Sequence, residues 1–245
     1  MNAMVGFINM LSNICVKERP RAVFVAWDTL GVETYRNKLW PPYQGGRVFE
    51  PDIVRQLGEM PGLCEAFGFG VGKSDGYEAD DLIASAVSQE VADGGECLVY
   101  TTDKDAYQLV SDKVTVLSPK KGSPDPDRID REEVFRRFGV APEQVTAFKA
   151  LSGDSSDKIP GAKGIGPVSA AALIQKHGNL ESVLLSWPNS KEAELVRMFH
   201  NIVCMRPEID VVLPSTGPDW SSGSAALRTL GATSLADRLD RTEWT

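Results

Sequence analysis

The chain has 245 residues, 42% of them hydrophobic and 24% charged, enough to bury one large core or two small ones and to exclude disorder as a global description. Its net charge of −8 argues at face value against a nucleic-acid partner, because phosphate binding normally shows as a basic surface. No apolar run approaches the ~20 residues of a membrane span, the N-terminus lacks a secretory pattern, and Cys15, Cys64, Cys97 and Cys204 are too scattered for a zinc or disulfide framework, so a cytoplasmic, membrane-free protein with reduced core thiols is expected.

Taken in chain order, periodicity and breakers predict a helix over residues 3–16, a strand over 22–27 and a polar excursion over 29–50. A helix at 51–67, a short strand at 69–73, a helix at 79–93 and a strand at 96–101 follow. This alternation favours a parallel sheet flanked by helices, with ligands beyond the carboxyl ends of the strands, where Asp28 and Asp103 fall. After VTVLSPK and the turn-forming KGSPDPD the pattern becomes helical, in DREEVFRRF, PEQVTAFKAL, PVSAAALIQKH, LESVLLSW and KEAELVRMFHNIVCM. The predicted division is a catalytic α/β part over 1–125, a helical part over 126–206 and a loosely packed extension over 207–245. No feature argues for oligomerisation, so a monomer is expected.

Eight acids are expected along one edge of the sheet or at its junction with the helical part: Asp28, Glu78, Asp80, Asp81, Asp103, Asp105, Asp154 and Asp157. Carboxylates gathered within a few ångströms repel one another unless cations intervene, and hard divalent ions such as Mg²⁺ or Mn²⁺ prefer such oxygen ligands. Two such ions about 4 Å apart can clamp the attacking and leaving oxygens of a phosphodiester hydrolysis. Setting the eight aside brings the formal charge to zero, which removes the objection to a DNA partner. Each motif also has a plainer reading: EADD as first-turn acids of a helix, TTDKD as a strand followed by a cap, Asp154 as a cap or turn residue.

GAKGIGPVSAAALIQKHG has the form of a helix-hairpin-helix. Glycines there let backbone N–H groups approach a phosphate, and the helix opening near Pro167 adds its positive end. Between Lys158 and Leu180 there is no acid, while Lys158, Lys163 and Lys176 supply positive charge. Such a hairpin grips sugar-phosphate without reading bases; its plainer alternative is a glycine turn between helices. GFGVGKS lacks the first glycine of a phosphate-binding P-loop, Phe67 standing in that place, and is not taken as one. WDTLG has Leu30 where phosphatases with a nucleophilic Asp carry a second acid.

GYEADDLIASA, VYTTDKDAYQLVSDKVTVLSPKKG and ALSGDSSDKIPGAKGIGPVSAAALIQKHG together resemble the motifs of the bacterial and phage 5'-nucleases, the family that includes the N-terminal domain of DNA polymerase I and stand-alone flap endonucleases. The likeness runs from about residue 3 to 204. It implies a PIN-like α/β parallel sheet flanked by helices, a helical arch over about 29–50, a helix-three-turn-helix DNA grip, and metal-dependent cleavage of DNA near 5' ends, flaps or branches, with a functional link to a DNA polymerase. By this resemblance Asp28, Glu78, Asp80 and Asp81 match a first metal cluster, Asp105, Asp154 and Asp157 a second, and Asp103 lies between them. Arg36 and Arg47 would face the scissile phosphate or threaded strand, and Lys158, Gly161, Lys163, Gly164, Ile165, Gly166 and Lys176 would hold duplex DNA, with a K⁺ ion at the hairpin. Two departures stand out. Gln44 follows Tyr43 where the family carries a lysine, and the family's opening Asp-bearing strand has no counterpart ahead of NAMVGFINML, for which a truncated reading of a longer protein is expected. The competing expectations are a structure-specific DNA binder without catalysis and an RNA-directed nuclease of the same fold.

Overall fold

The computed structural model describes residues 2–44, 50–123, 125–187 and 190–242. In chain order the elements are α1 (Asn2–Glu18), β1 (Phe24–Trp27), α2 (Tyr35–Leu39), α3 (Pro51–Ala66), β2 (Gly70–Lys73), α4 (Ala79–Ala92), β3 (Cys97–Tyr100), β4 (Val114–Ser118), β5 (Asp127–Ile129), α5 (Arg131–Phe138), α6 (Val145–Ser152), α7 (Pro167–His177), α8 (Leu180–Leu185), α9 (Ser190–Val203), α10 (Trp220–Thr229) and α11 (Thr233–Asp240). A 3-10 turn over Lys104–Leu109 follows β3. No helix among the described residues is long and apolar enough to cross a membrane.

These elements form two compact units. The described residues of the first are 2–28, 50–74 and 210–242, and those of the second are 29–44, 75–123, 125–187 and 190–209. In the first unit β1 and β2 pair in parallel, with Phe24 opposite Gly70 and Trp27 opposite Lys73. A Cβ on Gly72 would collide with the Phe24 ring, and one on Gly70 would lie 2.8 Å from Pro214 Cδ, so the glycines of GFGVGKS serve close packing. Met4 and Ile8 of α1, Met60, Leu63 and Cys64 of α3, and Phe67 and Phe69 form the unit's core.

The same core contains Leu227 of α10 and Leu235, Ala236 and Leu239 of α11, which corrects the expectation of a loose tail after Pro207. Polar residues break up that segment's sequence, yet Asp219 caps α10 by accepting the Ser222 N–H at 2.9 Å, and the apolar faces of the two helices close over α1 and α3.

In the second unit β3 pairs in parallel with β4, and β5 adds an antiparallel edge strand, so the sheet there is mixed. Asp130 caps α5, Gly139 ends it at φ +71°, and Asn179 caps α8. Tyr107, Val116, Ile129, Val134, Leu151, Ile174, Val196, Phe199 and Ile202 fill this unit's core.

Leu239→Ala is expected to destabilise the first unit by about 2–5 kcal/mol, the usual cost of truncating a buried leucine. Urea denaturation followed by tryptophan fluorescence measures it, and a loss near zero would mean that α11 is not part of the core.

Candidate active site

Within the second unit, three pieces of chain carry the acids. Glu78 precedes α4 and Asp80 and Asp81 lie in its first turn. Asp103 and Asp105 follow β3, and Asp154 and Asp157 follow α6. Local chemistry explains part of each placement. Asp81 Oδ2 accepts the Glu78 N–H at 3.0 Å, Asp103 Oδ1 accepts the Asp105 N–H at 2.8 Å, and Asp154 Oδ1 accepts the Ser156 N–H at 2.9 Å. The plainer capping reading is thus realised at all three motifs, beside whatever else they do.

Asp81 is fully buried and bound on both oxygens by Arg36, at 2.5 and 2.7 Å, with the Arg206 N–H adding a third donor at 2.9 Å. Arg36 is itself only 3% exposed, donates from Nε to the Ile202 carbonyl at 2.8 Å, and lies 3.4 Å from Glu78. Burial acts to lower the Arg36 pKa, but the contacts with Asp81 and the charge of Glu78 outweigh it and raise it overall. The expectation of an arginine facing DNA is therefore corrected: Arg36 is an interior anchor for the start of α4, and Asp81 is already neutralised by protein.

A hydrogen-bonded chain runs from Glu78 to Asp157. The Tyr43 hydroxyl donates to Glu78 Oε2 at 3.1 Å, Gln44 Nε2 donates to Tyr43 Oη at 3.0 Å, and the same Nε2 donates to Asp157 Oδ1 at 2.9 Å. Tyr43 is buried, and burial with the charges of Glu78 and Asp157 pushes its hydroxyl well above the usual range, so it stays a donor. Two bonds to backbone carbonyls pin the segment: the Gln44 N–H donates to Asp157 at 3.4 Å and the Trp40 indole Nε1–H to Lys158 at 3.0 Å. Gln44, marked in the sequence only as a lost lysine, is the piece that ties the α4 acids to the α6 acids.

Lys149 of α6 is paired with Asp105 and, at 2.8 Å, with Asp154. Burial raises the Asp154 pKa, but hydrogen bonds from Lys149 and Ser156 more than offset it and hold the carboxyl below the usual range. Asp157 behaves oppositely. Burial and the nearby charges of Asp154 and Asp103 raise its pKa against the pull of Gln44 and Lys149. Asp157 is thus a buried acid whose charged form is disfavoured, and Asp103, exposed after β3, is one of the charges that act on it.

The expected set of eight is accordingly divided. Asp28 lies exposed in the first unit, just after β1; Asp80 is half-buried on α4; Asp81 and Asp105 are held by Arg36 and Lys149. Among the described residues no group of three or more His, Cys, Asp or Glu side chains is placed to hold a metal ion. Glu78, Asp103, Asp154 and Asp157 nevertheless fit a hard divalent cation in donor type, and the raised pKa of Asp157 marks where positive charge is wanting.

The hairpin is built as the glycines require. Gly161 takes φ +71°, and a Cβ there would strike the backbone of residues 151–153; Gly164 takes φ +76° in open space. Gly166 caps α7 and Pro167 begins it. Lys158, Lys163, Gly164, Gly166 and Lys176 are exposed, and Ile165 is half-buried. Two features were not legible beforehand: Glu192 of α9 accepts the Lys163 N–H at 2.9 Å, bringing an acid to the acid-free stretch, and Lys158 holds the left-handed φ of +59°. Arg47 lies outside the described residues.

The family model for the 5'-3' exonuclease N-terminal resolvase-like domain matches residues 1–139, and that for the 5'-3' exonuclease C-terminal SAM fold matches residues 140–205. This chain belongs to the 5'-3' exonuclease family. A 5'-3' exonuclease of Aquifex aeolicus is 30% identical over 253 residues, covering 98% of this chain and 86% of the relative. DNA polymerase I of Mycobacterium tuberculosis is 40% identical over 184 residues, covering 75% of this chain but 20% of the polymerase, so the chain spans about a fifth of that relative's length. Among solved structures, a T5 5'-exonuclease with bound zinc ions superposes with a TM-score of 0.68 at 21% identity, covering 96% of this chain and 88% of that one. The catalytic core of Rad2 in complex with DNA substrate gives 0.59 at 18%, covering 96% and 83%. The fold of this 5'-3' exonuclease is a PIN-like, resolvase-like domain followed by a SAM-like helical one.

Arg36→Met is expected to cost about 3–5 kcal/mol of folding stability, because it leaves the fully buried Asp81 without its counter-charge. Equilibrium urea denaturation tests this, and a loss under about 1 kcal/mol, the range of an exposed pair, would contradict the interior role.

Proposed function

We propose that this member of the 5'-3' exonuclease family hydrolyses DNA phosphodiesters near 5' ends, flaps and branches, with Mg²⁺ or Mn²⁺ at the acids of the second unit. The observation that carries it is the chain Glu78–Tyr43–Gln44–Asp157, which joins the α4 acids to the α6 acids beside a buried carboxylate short of positive charge. A divalent cation bound there supplies charge against that developing on the phosphoryl group and makes water more acidic. Glu78, Asp103, Asp154 and Asp157 would hold such ions, and Asp80 is assigned to the same task from its motif. Arg36 fixes the first turn of α4, Tyr43 and Gln44 keep Glu78 and Asp157 in register, and the flanking core excludes bulk water behind them. Bound zinc in the T5 5'-exonuclease and bound DNA in the Rad2 core support the ion and the substrate by likeness.

In the same proposal residues 1–125 carry the chemistry with 29–50 as the arch, and 126–206 carry the DNA grip. At the hairpin Gly161, Gly164, Ile165 and Gly166 offer backbone to phosphate, with Lys158, Lys163 and Lys176 as cations and K⁺ as the counter-ion of the turn. In this reading the protein is a cytoplasmic monomer, and it works beside a DNA polymerase, a link that the likeness to a fifth of DNA polymerase I supports. A second reading, a flap-binding protein impaired in catalysis, is favoured by one observation: Arg36 and Lys149 already neutralise Asp81 and Asp105.

The two readings separate on a labelled 5'-flap duplex with Mg²⁺ or Mn²⁺ and a chelator control. Asp103→Ala is expected to lower metal-dependent cleavage about 10²-fold or more with flap binding largely retained. Binding without metal-dependent products from the unaltered chain would leave the second reading. Lys163→Ala is expected to weaken flap binding and reduce the salt slope by about 1, as loss of one phosphate contact does; an unchanged slope would remove Lys163 from the interface.

A further inference from the structure

One buried cation stands where the acids gather, and the catalytic reading proposed above gives it no role. Lys149 lies on α6 in the run VTAFKALS, a lone charge among Val145, Ala147, Phe148, Ala150 and Leu151, all buried. It is 6% exposed. The helix ends at Ser152, and Gly153 at φ +80° turns the chain back so closely that a Cβ there would meet the Ile159 carbonyl at 2.7 Å. That turn carries Asp154 to Lys149 Nζ, 2.8 Å away, while Asp105 meets the same ammonium from the segment after β3. The charge of Lys149 is also felt at Asp157. Asp105, whose motif matches the second metal cluster, and Asp154 thus share one lysine, whose charge also reaches Asp157.

The two internal cations of the unit differ in kind. Arg36 holds Asp81 in a planar two-point fork, is itself tied to the Ile202 carbonyl, and leaves Asp81 with backbone donors as well. Such a pair is closed on every side. Lys149 presents a compact ammonium on a flexible four-carbon stem, able to swing toward water without moving its helix. A buried carboxylate pair stripped of its counter-charge is costly, so the lysine keeps this part of the site folded when no other cation is there.

We propose that Lys149 is a built-in placeholder for a divalent cation: it occupies the Asp105–Asp154 pair in the ion-free protein and swings out when a divalent ion enters, so that it sets the strength of ion binding. The inference rests on the metal-dependent reading of the same acids. No covalent step is involved; one ammonium exchanges carboxylate contacts for water as the ion takes its place.

Two measurements on the full chain test this, with Mn²⁺ alone as the probe. Calorimetric titration should show Lys149→Met binding Mn²⁺ about tenfold or more tightly than the unaltered chain, the scale of effect that one full charge has on a carboxylate a few ångströms away. In the unaltered chain, acylation of Lys149 by an amine-specific reagent, read by mass spectrometry, should be slow without Mn²⁺ and rise several-fold at saturation. This second measurement needs no variant and decides the matter if Lys149→Met fails to fold. Equal or weaker Mn²⁺ binding by Lys149→Met, or Lys149 protected at saturating Mn²⁺, would overturn the placeholder while leaving the nuclease reading intact. If the unaltered chain binds no Mn²⁺, the placeholder and the metal reading fall together.

Discussion

Carboxylates crowded into one unit of a small protein must be met by positive charge, and the second unit of this chain is organised around that constraint. At an effective dielectric near 20, two unit charges 4 Å apart interact by about 4 kcal/mol, so like charges brought near one another oppose folding if left alone. The chain answers in two ways. Arg36 and Lys149 supply charge from within, at Asp81 and at the Asp105–Asp154 pair. At Asp157, pressed by Asp154 and Asp103, the internal supply falls short. A divalent ion among these carboxylates would supply what Asp157 lacks and take over from Lys149 what the ammonium supplies at Asp105 and Asp154.

The scaffold reaches this arrangement with ordinary local devices. A helix start, a 3-10 turn after a strand and a glycine-terminated helix each present acids; the first two use one of them as a cap, and the turn after the third is closed by Asp154 on the Ser156 N–H. Capping and convergence are therefore compatible. The cap orients the carboxylate, and the neighbouring segments decide what else it meets. The polar segment before Gly45 adds the link that none of the acidic motifs contains, because Tyr43 and Gln44 reach both sides.

Much of this was legible in the sequence. Most helix and strand positions up to α9 follow from periodicity and breakers, though α2 within the polar excursion and the short edge strand β5 do not, and the hairpin follows from GAKGIGP, whose glycines need positive φ or close backbone approach at Gly161 and Gly164. What escaped is long-range. Lys149 reads as an unremarkable helix residue until Gly153 brings Asp154 back to it. Glu192, 29 positions beyond Lys163, joins the hairpin only in space. Arg36 looked like a surface cation, since nothing in YRNKL says that Asp81 lies within reach. The last two helices were hidden by Ser, Gly and Pro in LPSTGPDWSSGS, and only their packing on α1 and α3 shows Leu227, Leu235 and Leu239 to be core. The family likeness added roles that periodicity does not carry, but it also made a buried arginine look DNA-facing.

What most needs measuring is whether a cation settles where the charge deficit lies. Crystals of the protein soaked in Mn²⁺ and recorded at an anomalous wavelength would show it. A peak at about 2.0–2.6 Å from carboxylate oxygens of Asp103 and Asp157 is the result predicted. Peaks confined to other surfaces, with those two carboxylates hydrated or engaged only in their local hydrogen bonds, would contradict it.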